Sequence, residues 1–170
     1  MNLANRITLL RIVLIPFVLV LLLLGLNGLA AGFFLLLSLS DALDGYIARK
    51  YNQVSELGKF LDPLADKVLV ISVLIILVGL GKADSIAVLI LVVRELLVQG
   101  IRINTAKSGK IVAAAPLAKW KTVVQITATT MLILSLPFAA WLLWFAIILA
   151  LISGWGYLWQ SKIINQLKLS

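Results

Sequence analysis

The chain has 170 residues, 62% of them hydrophobic, and a mean hydropathy of +1.12; a water-soluble core of this size cannot hide so much apolar surface, so the composition is that of an integral membrane protein. With no cysteine and no histidine, disulfides, thiolate chemistry and imidazole as base, metal ligand or phosphate carrier are excluded, and acid–base or metal chemistry falls to carboxylates, lysine, tyrosine or water. The net charge of +8 fits membrane topology and anionic ligands better than it fits nucleic acid, which is not expected as a partner.

Windows of about 20 apolar residues predict an all-α chain with six membrane spans. The first covers residues 7–26 and contains Pro16, a candidate kink. Arg6 and Arg11 ahead of its apolar run also fit a signal peptide, but the rest of the chain does not read as a soluble domain. The turn signal GLNG at 25–28 leads into the second span, 29–48. The third covers 60–80 and ends at GLGKADS, 79–85, before the fourth, 85–105. The fifth, 122–136, is short and is expected to begin near Leu117. After SLPF at 135–138, the sixth, 140–160, adds only hydrophobicity. No repeat or low-complexity linker interrupts the sequence, so residues 1–170 read as one six-helix transmembrane domain.

Six spans put both termini on one side, and the basic residues say which. Lys82 is the sole Lys or Arg in the first, third and fifth connections. Arg6, Arg11, Arg49, Lys50, Lys59, Lys107, Lys110, Lys119, Lys121, Lys162 and Lys168 fall on the other side. Both termini, and the stretch DALDGYIARKYNQVSELGKFLDPLAD, are therefore expected at the cytoplasmic face of the cell membrane. Arg94 and Glu95 fall mid-span and are not explained by topology.

Four of the seven acidic residues are Asp41, Asp44, Asp62 and Asp66. Asp41 and Asp44, spaced i, i+3, share a face at the end of the second span. Gly58, Asp62 and Asp66, spaced i, i+4, i+8, line a face at the start of the third. A short link brings those helix ends together, so four carboxylates converge in one pocket open to the cytoplasm. Alone they would repel one another and take up protons. A pair of divalent cations removes that cost, and oxygen-only ligands suit Mg²⁺ or Mn²⁺. Two such ions can clamp a phosphoryl group during in-line displacement. Gly45, Gly58 and the small Ala48 leave room for a ligand, and Arg49 can pair with phosphate. A single Asp at a helix end is usually a cap, and Asp62 before Pro63 fits that role; four in register, with little other acid in the chain, do not.

Read in full, the stretch is D-x2-D-G-x2-A-R-x8-G-x3-D-x3-D, from Asp41 to Asp66. It resembles the signature of the CDP-alcohol phosphatidyltransferase family at every fixed position. The resemblance implies a six-helix membrane enzyme, usually a homodimer, with two metal ions, that moves a phosphatidyl group from CDP-diacylglycerol to an alcohol and releases CMP. It implies that Asp41, Asp44 and Asp62 are metal ligands and that Asp66 is a shared ligand and the general base. By the same resemblance Asp41, Asp44, Gly45, Ala48, Arg49 and Gly58 cradle the CDP moiety. Asn5, Thr8 and Arg11 match the family's N-terminal N-x2-T-x2-R pattern, which implies that Asn5 and Thr8 also contact CDP; a helix cap plus a cytoplasmic anchor is the alternative.

The acceptor is read from the remaining buried cations. Arg94 lies mid-span, Arg102 lies within about 80° of the same helix face, and Lys119 and Lys121 start the fifth span. Together they suggest a basic pocket beside the metal site for an acceptor carrying a phosphate, such as glycerol-3-phosphate. The alternative for Arg94 is a structural pair with Glu95 or with an aspartate, although adjacent side chains on a helix point apart and make the Glu95 pair a poor one; for Lys119 and Lys121 it is a topology anchor. GKFLDPLADK, the Arg94–Glu95–Arg102 pattern and K-x-K-T at 119–122 most resemble the bacterial phosphatidylglycerophosphate synthases of that family. Phosphatidylglycerol, as in cardiolipin synthesis, or inositol phosphate are the alternative acceptors. A cation transporter is the alternative class, but it usually shows inverted repeats or broken mid-membrane helices, and neither is visible.

Overall fold

The computed structural model describes the backbone of residues 3–50, 56–107 and 116–160, and the side chains of residues 9–40, 65, 67–101 and 120–156. Six helices fill it: α1 (Leu3–Leu23), α2 (Asn27–Lys50), α3 (Glu56–Gly79), α4 (Ser85–Lys107), α5 (Pro116–Ile133) and α6 (Ala139–Gln160). Among the described residues there is no strand. The helices run beyond the apolar windows at their polar ends, because hydropathy marks only the part suited to hydrocarbon. α1, for example, begins at Leu3 and takes in Asn5 and Arg6. α5 opens on Pro116, whose fixed φ and missing N–H suit a first helical position.

Three helices close in the same way. Gly25 has φ +74° and donates to Leu22, while Leu26 donates to Leu21. Gly81 has φ +68° and donates to Val78, while Lys82 donates to Leu77. Ser135 has φ +54° and donates to Leu132, while Leu136 donates to Met131. Each is a left-handed residue that lets two amides turn back onto the last carbonyls of α1, α3 and α5. These are the odd connections whose turn signals the sequence announces. α4 opens on Asp84, whose Oδ1 accepts from the Ala87 amide at 2.7 Å, an N-cap.

The chain forms two compact units. The first holds Met1–Ala83 and Thr129–Pro137; the second holds Asp84–Ala128 and Phe138–Ser170. In the first, α1 packs against both α2 and α3, and α2 packs against α3. Its core rows keep helical spacing: Arg11, Ile15, Val18 and Leu22 on α1, Ala30, Phe34 and Leu37 on α2, and Ala65, Leu69, Val73 and Leu77 on α3. In the second unit α4 packs against α6. Its core rows are Ala87, Leu91, Arg94, Glu95 and Val98 on α4, and Leu143, Ala146, Ile147, Ala150 and Ser153 on α6.

The polarity of these units is the reverse of a water-soluble protein's. Arg11, Arg94, Glu95, Lys121, Gln125 and Thr129 are buried, while Leu10, Val13, Leu36, Leu97, Trp141, Ile152 and Trp155 are exposed. Large apolar side chains turned outward around charged ones suit lipid as the surrounding medium. Among the described residues, Ala139–Gly156 is long and apolar enough to cross a bilayer by itself. Leu9–Leu23, Asn27–Ser40 and Lys67–Gly79 are shorter apolar stretches, each continued by polar turns of the same helix.

Ser135 carries a Cβ in a left-handed conformation that costs an L-residue about 1–2 kcal/mol. Ser135→Gly is expected to stabilise the protein by about 1 kcal/mol, seen as a higher thermal unfolding midpoint in detergent.

Candidate active site

The backbone carries the aspartate-bearing turns as continuations of packed faces. On α2, the row through Phe34 and Leu37, 0% and 3% exposed, continues at helical spacing through Asp41, Asp44 and Ala48. On α3, the row through Leu74 and Val70, both buried, continues backwards through Asp66, Asp62 and Gly58. On α1, the row through Val18, Ile15 and Arg11 continues backwards through Thr8 and Asn5. These three helices pack on one another.

Asp41 and Asp44 stand fourteen and seventeen residues beyond Asn27, where α2 begins. Asp66 and Asp62 stand thirteen and seventeen residues before Gly79, where α3 ends. With a rise of about 1.5 Å per residue, each helix carries one aspartate about 20 Å and another about 26 Å along its length from those ends. Counted from those ends, Asp41 and Asp66 stand at about the same distance along their helices, as do Asp44 and Asp62.

The side chains of Asn5, Thr8, Asp41, Asp44, Ala48, Arg49, Asp62, Asp66, Arg102 and Lys119 lie outside the described residues, and Gly45 and Gly58 are described by their helical backbone alone. Among the described residues no three metal-binding side chains come together; the four aspartates lie outside that set. As a donor set, four carboxylates on two packed helices fit hard divalent cations.

The second unit holds a buried charge cluster. Arg94 and Glu95 lie on the face of α4 that packs against α6, and they are 8% and 3% exposed. Arg94 Nη1 donates to Glu95 Oε1 at 2.7 Å. Lys121 of α5, 7% exposed, donates through Nζ to the same oxygen. Arg94 Nε donates to the Ala150 carbonyl at 2.8 Å, and Nη2 donates to Ser153 Oγ at 2.7 Å. Among the described residues, two cations, Arg94 and Lys121, thus meet on one carboxylate oxygen of Glu95.

This corrects two expectations. Arg94 and Glu95 do pair although they are neighbours, because the arginine side chain is long enough to fold back and neither charge has water to turn to. And α6 contributes more than hydrophobicity: a backbone carbonyl and a serine hydroxyl of that helix hold the Arg94 guanidinium. The signal for this was Ser153–Gly154, a small and partly polar pair in the apolar run WFAIILALISGWG. Of the four cations assigned to the acceptor phosphate, Arg94 and Lys121 meet through Glu95.

A family model described as CDP-alcohol phosphatidyltransferase matches residues 1–152. The CDP-diacylglycerol–glycerol-3-phosphate 3-phosphatidyltransferase of Bacillus subtilis is 41% identical over 179 residues, covering 92% of this chain and 93% of that protein. The protein of the same name from Rickettsia typhi is 40% identical over 174 residues, covering 95% of this chain and 97% of its own. That from Mycoplasma genitalium is 43% identical over 93 residues, 55% of this chain and 39% of its own.

Removing one member of a buried ion cluster strands the others in a medium that cannot solvate them. Glu95→Ala is expected to destabilise the protein by about 3–5 kcal/mol, with Glu95→Gln, which keeps one acceptor oxygen, falling between it and the parent in detergent unfolding.

Proposed function

The chain belongs to the CDP-alcohol phosphatidyltransferase family, and from that premise we infer that it transfers the phosphatidyl group of CDP-diacylglycerol to glycerol-3-phosphate, giving phosphatidylglycerophosphate and CMP. Relatives about 40% identical over nearly their whole length carry that activity in their names. The observation that supports the acceptor is the burial of two cations, Arg94 and Lys121, on one oxygen of Glu95. A cation kept in an apolar interior at such desolvation cost points to an anionic ligand. A neutral or cationic alcohol gives it no purpose.

Members of this family are generally dependent on divalent cations. We assign two ions, Mg²⁺ or Mn²⁺, to Asp41, Asp44, Asp62 and Asp66. When bound, they would polarise the phosphoryl oxygens and neutralise charge on the departing CMP. The matched spacing of the aspartates along α2 and α3 supports this assignment.

The remaining steps fall to the chain's own residues. Asn5, Thr8, Gly45, Ala48, Arg49 and Gly58, with Asp41 and Asp44, hold the CDP moiety. The glycines admit the nucleotide close to the backbone, and Arg49 offers parallel N–H donors to its phosphate. Arg94, Arg102, Lys119 and Lys121 bind the phosphate of the acceptor and orient its hydroxyl. Asp66 takes the hydroxyl proton as the oxygen attacks the phosphorus next to the diacylglycerol. The new P–O bond forms as the bond to CMP breaks, and CMP departs with its phosphate. Without cysteine or histidine, a single displacement is simpler than a covalent phosphatidyl–enzyme.

The enzyme is a membrane protein, and we assign it to the cell membrane with both termini and the active site cytoplasmic, on the distribution of Lys and Arg. We read residues 1–170 as one catalytic domain, since the family match spans both compact units and α5 contributes to each. A homodimer follows from the family resemblance.

Two measurements test the reading. In a labelled-CMP release assay, glycerol-3-phosphate is expected to give turnover, while glycerol, inositol phosphate and phosphatidylglycerol give none; turnover with one of the others alone overturns the acceptor. Asp66→Asn is expected to lower kcat by about 10²–10⁴-fold while the protein stays folded, and retained activity removes Asp66 as the base.

A further inference from the structure

α6, from Ala139 to Gln160, has no charged residue, yet it makes the most specific contacts to the buried guanidinium of α4. Arginine has five N–H donors. Nε and one N–H of Nη2 are taken by the Ala150 carbonyl and Ser153 Oγ. Ser153 Oγ in turn donates to the same carbonyl at 3.0 Å, which fixes the hydroxyl as a bridge. One N–H of Nη1 goes to Glu95. That leaves one N–H on each terminal nitrogen, a pair suited to two oxygens of one phosphate.

The next residue, Gly154, makes this arrangement possible. A Cβ there would lie 3.1 Å from Arg94 Nε and 3.6 Å from Val98 Cγ2. The near atom belongs to a guanidinium held by three bonds, so the few tenths of an ångström it must give would be taken against them. Beside the guanidinium, between α4 and α6, runs an apolar groove of about 520 Å³ lined by Leu89, Val93, Leu97, Leu151 and Trp155 together with Arg94. Among the described residues, the other side chains of that lining offer the two remaining donors no acceptor. A buried cation with donors to spare in such surroundings is poised for a ligand.

We propose that Ser153 and Gly154 are positioning residues for acceptor recognition: they seat the Arg94 guanidinium so that one N–H of each terminal nitrogen is presented to the phosphate of the acceptor alcohol. The proposal rests on the assignment of Arg94 to that phosphate. Both residues lie just beyond residues 1–152, the segment the family match covers.

The test is steady-state kinetics of the full-length enzyme in detergent micelles, with glycerol-3-phosphate and CDP-diacylglycerol varied in turn and unfolding midpoints measured alongside. Ser153→Ala is expected to raise the KM for glycerol-3-phosphate about fivefold and Gly154→Ala about tenfold or more, the range set by losing one hydrogen bond to a charged group. The KM for CDP-diacylglycerol is expected to stay within about twofold of the parent. A purely structural staple between α4 and α6 would lower kcat and stability and shift both KM values together, and that result overturns the proposal, as does an unchanged acceptor KM in both variants. Arg94→Lys, measured in parallel, separates the two assignments. If it leaves the acceptor KM unchanged, the role given to Arg94 fails. If it raises that KM while the Ser153 and Gly154 variants do not, the seat alone fails.

Discussion

A charged side chain in hydrocarbon has to be met by an opposite charge, a hydrogen-bonding backbone group or a bound ion, because nothing else there can solvate it. That constraint orders both compact units. In the second, Glu95 stands between Arg94 and Lys121, and α6 gives Arg94 a carbonyl and a hydroxyl. In the first, the rows that carry four aspartates continue the buried faces of α2 and α3. Divalent ions are the partner we propose for that charge.

The two solutions differ in kind. The Arg94 guanidinium is held by the protein's own bonds to Glu95, Ala150 and Ser153. For the aspartates of α2 and α3 the partner we propose comes from outside the chain, as divalent ions. The transfer we propose would use both: the first to bind the acceptor's phosphate and the second to withstand the charge that builds on the leaving phosphate. The surrounding core is ordinary aliphatic packing, with Leu69, Val73 and Leu77 on α3 and Leu143 and Ile147 on α6 fully or almost fully buried.

Much of this was legible in the sequence. Apolar windows located six helices, and Gly25, Gly81 and Ser135 stand where the turn signals put the ends of α1, α3 and α5. The aspartate spacing could be read because helical periodicity is local, requiring only neighbours along the same helix. The Arg94 cluster was not fully legible, because Lys121, Ser153 and Glu95 come from three helices and their meeting depends on packing. Local reasoning even misjudged the Arg94–Glu95 pair: side-chain directions on an isolated helix do not include the penalty for leaving either charge unsolvated. Hydropathy likewise passed over Ser153 and Gly154, since two small residues scarcely change the average of an otherwise apolar helix.

The depth of the aspartates along α2 and α3 has a consequence for the bilayer itself. Hydrocarbon is about 30 Å thick, and the two levels of carboxylate lie about 20 and 26 Å from the opposite ends of their helices. If those far ends mark one boundary of the hydrocarbon, the reacting phosphate is met several ångströms beneath the other. A lipid headgroup must then sink, or the leaflet must dimple and admit water around it, at a modest elastic cost per ångström of mismatch. With the phosphate held by these carboxylates as we propose, membrane thickness becomes a physical variable of the reaction, thinner bilayers bringing the lipid phosphate nearer to them.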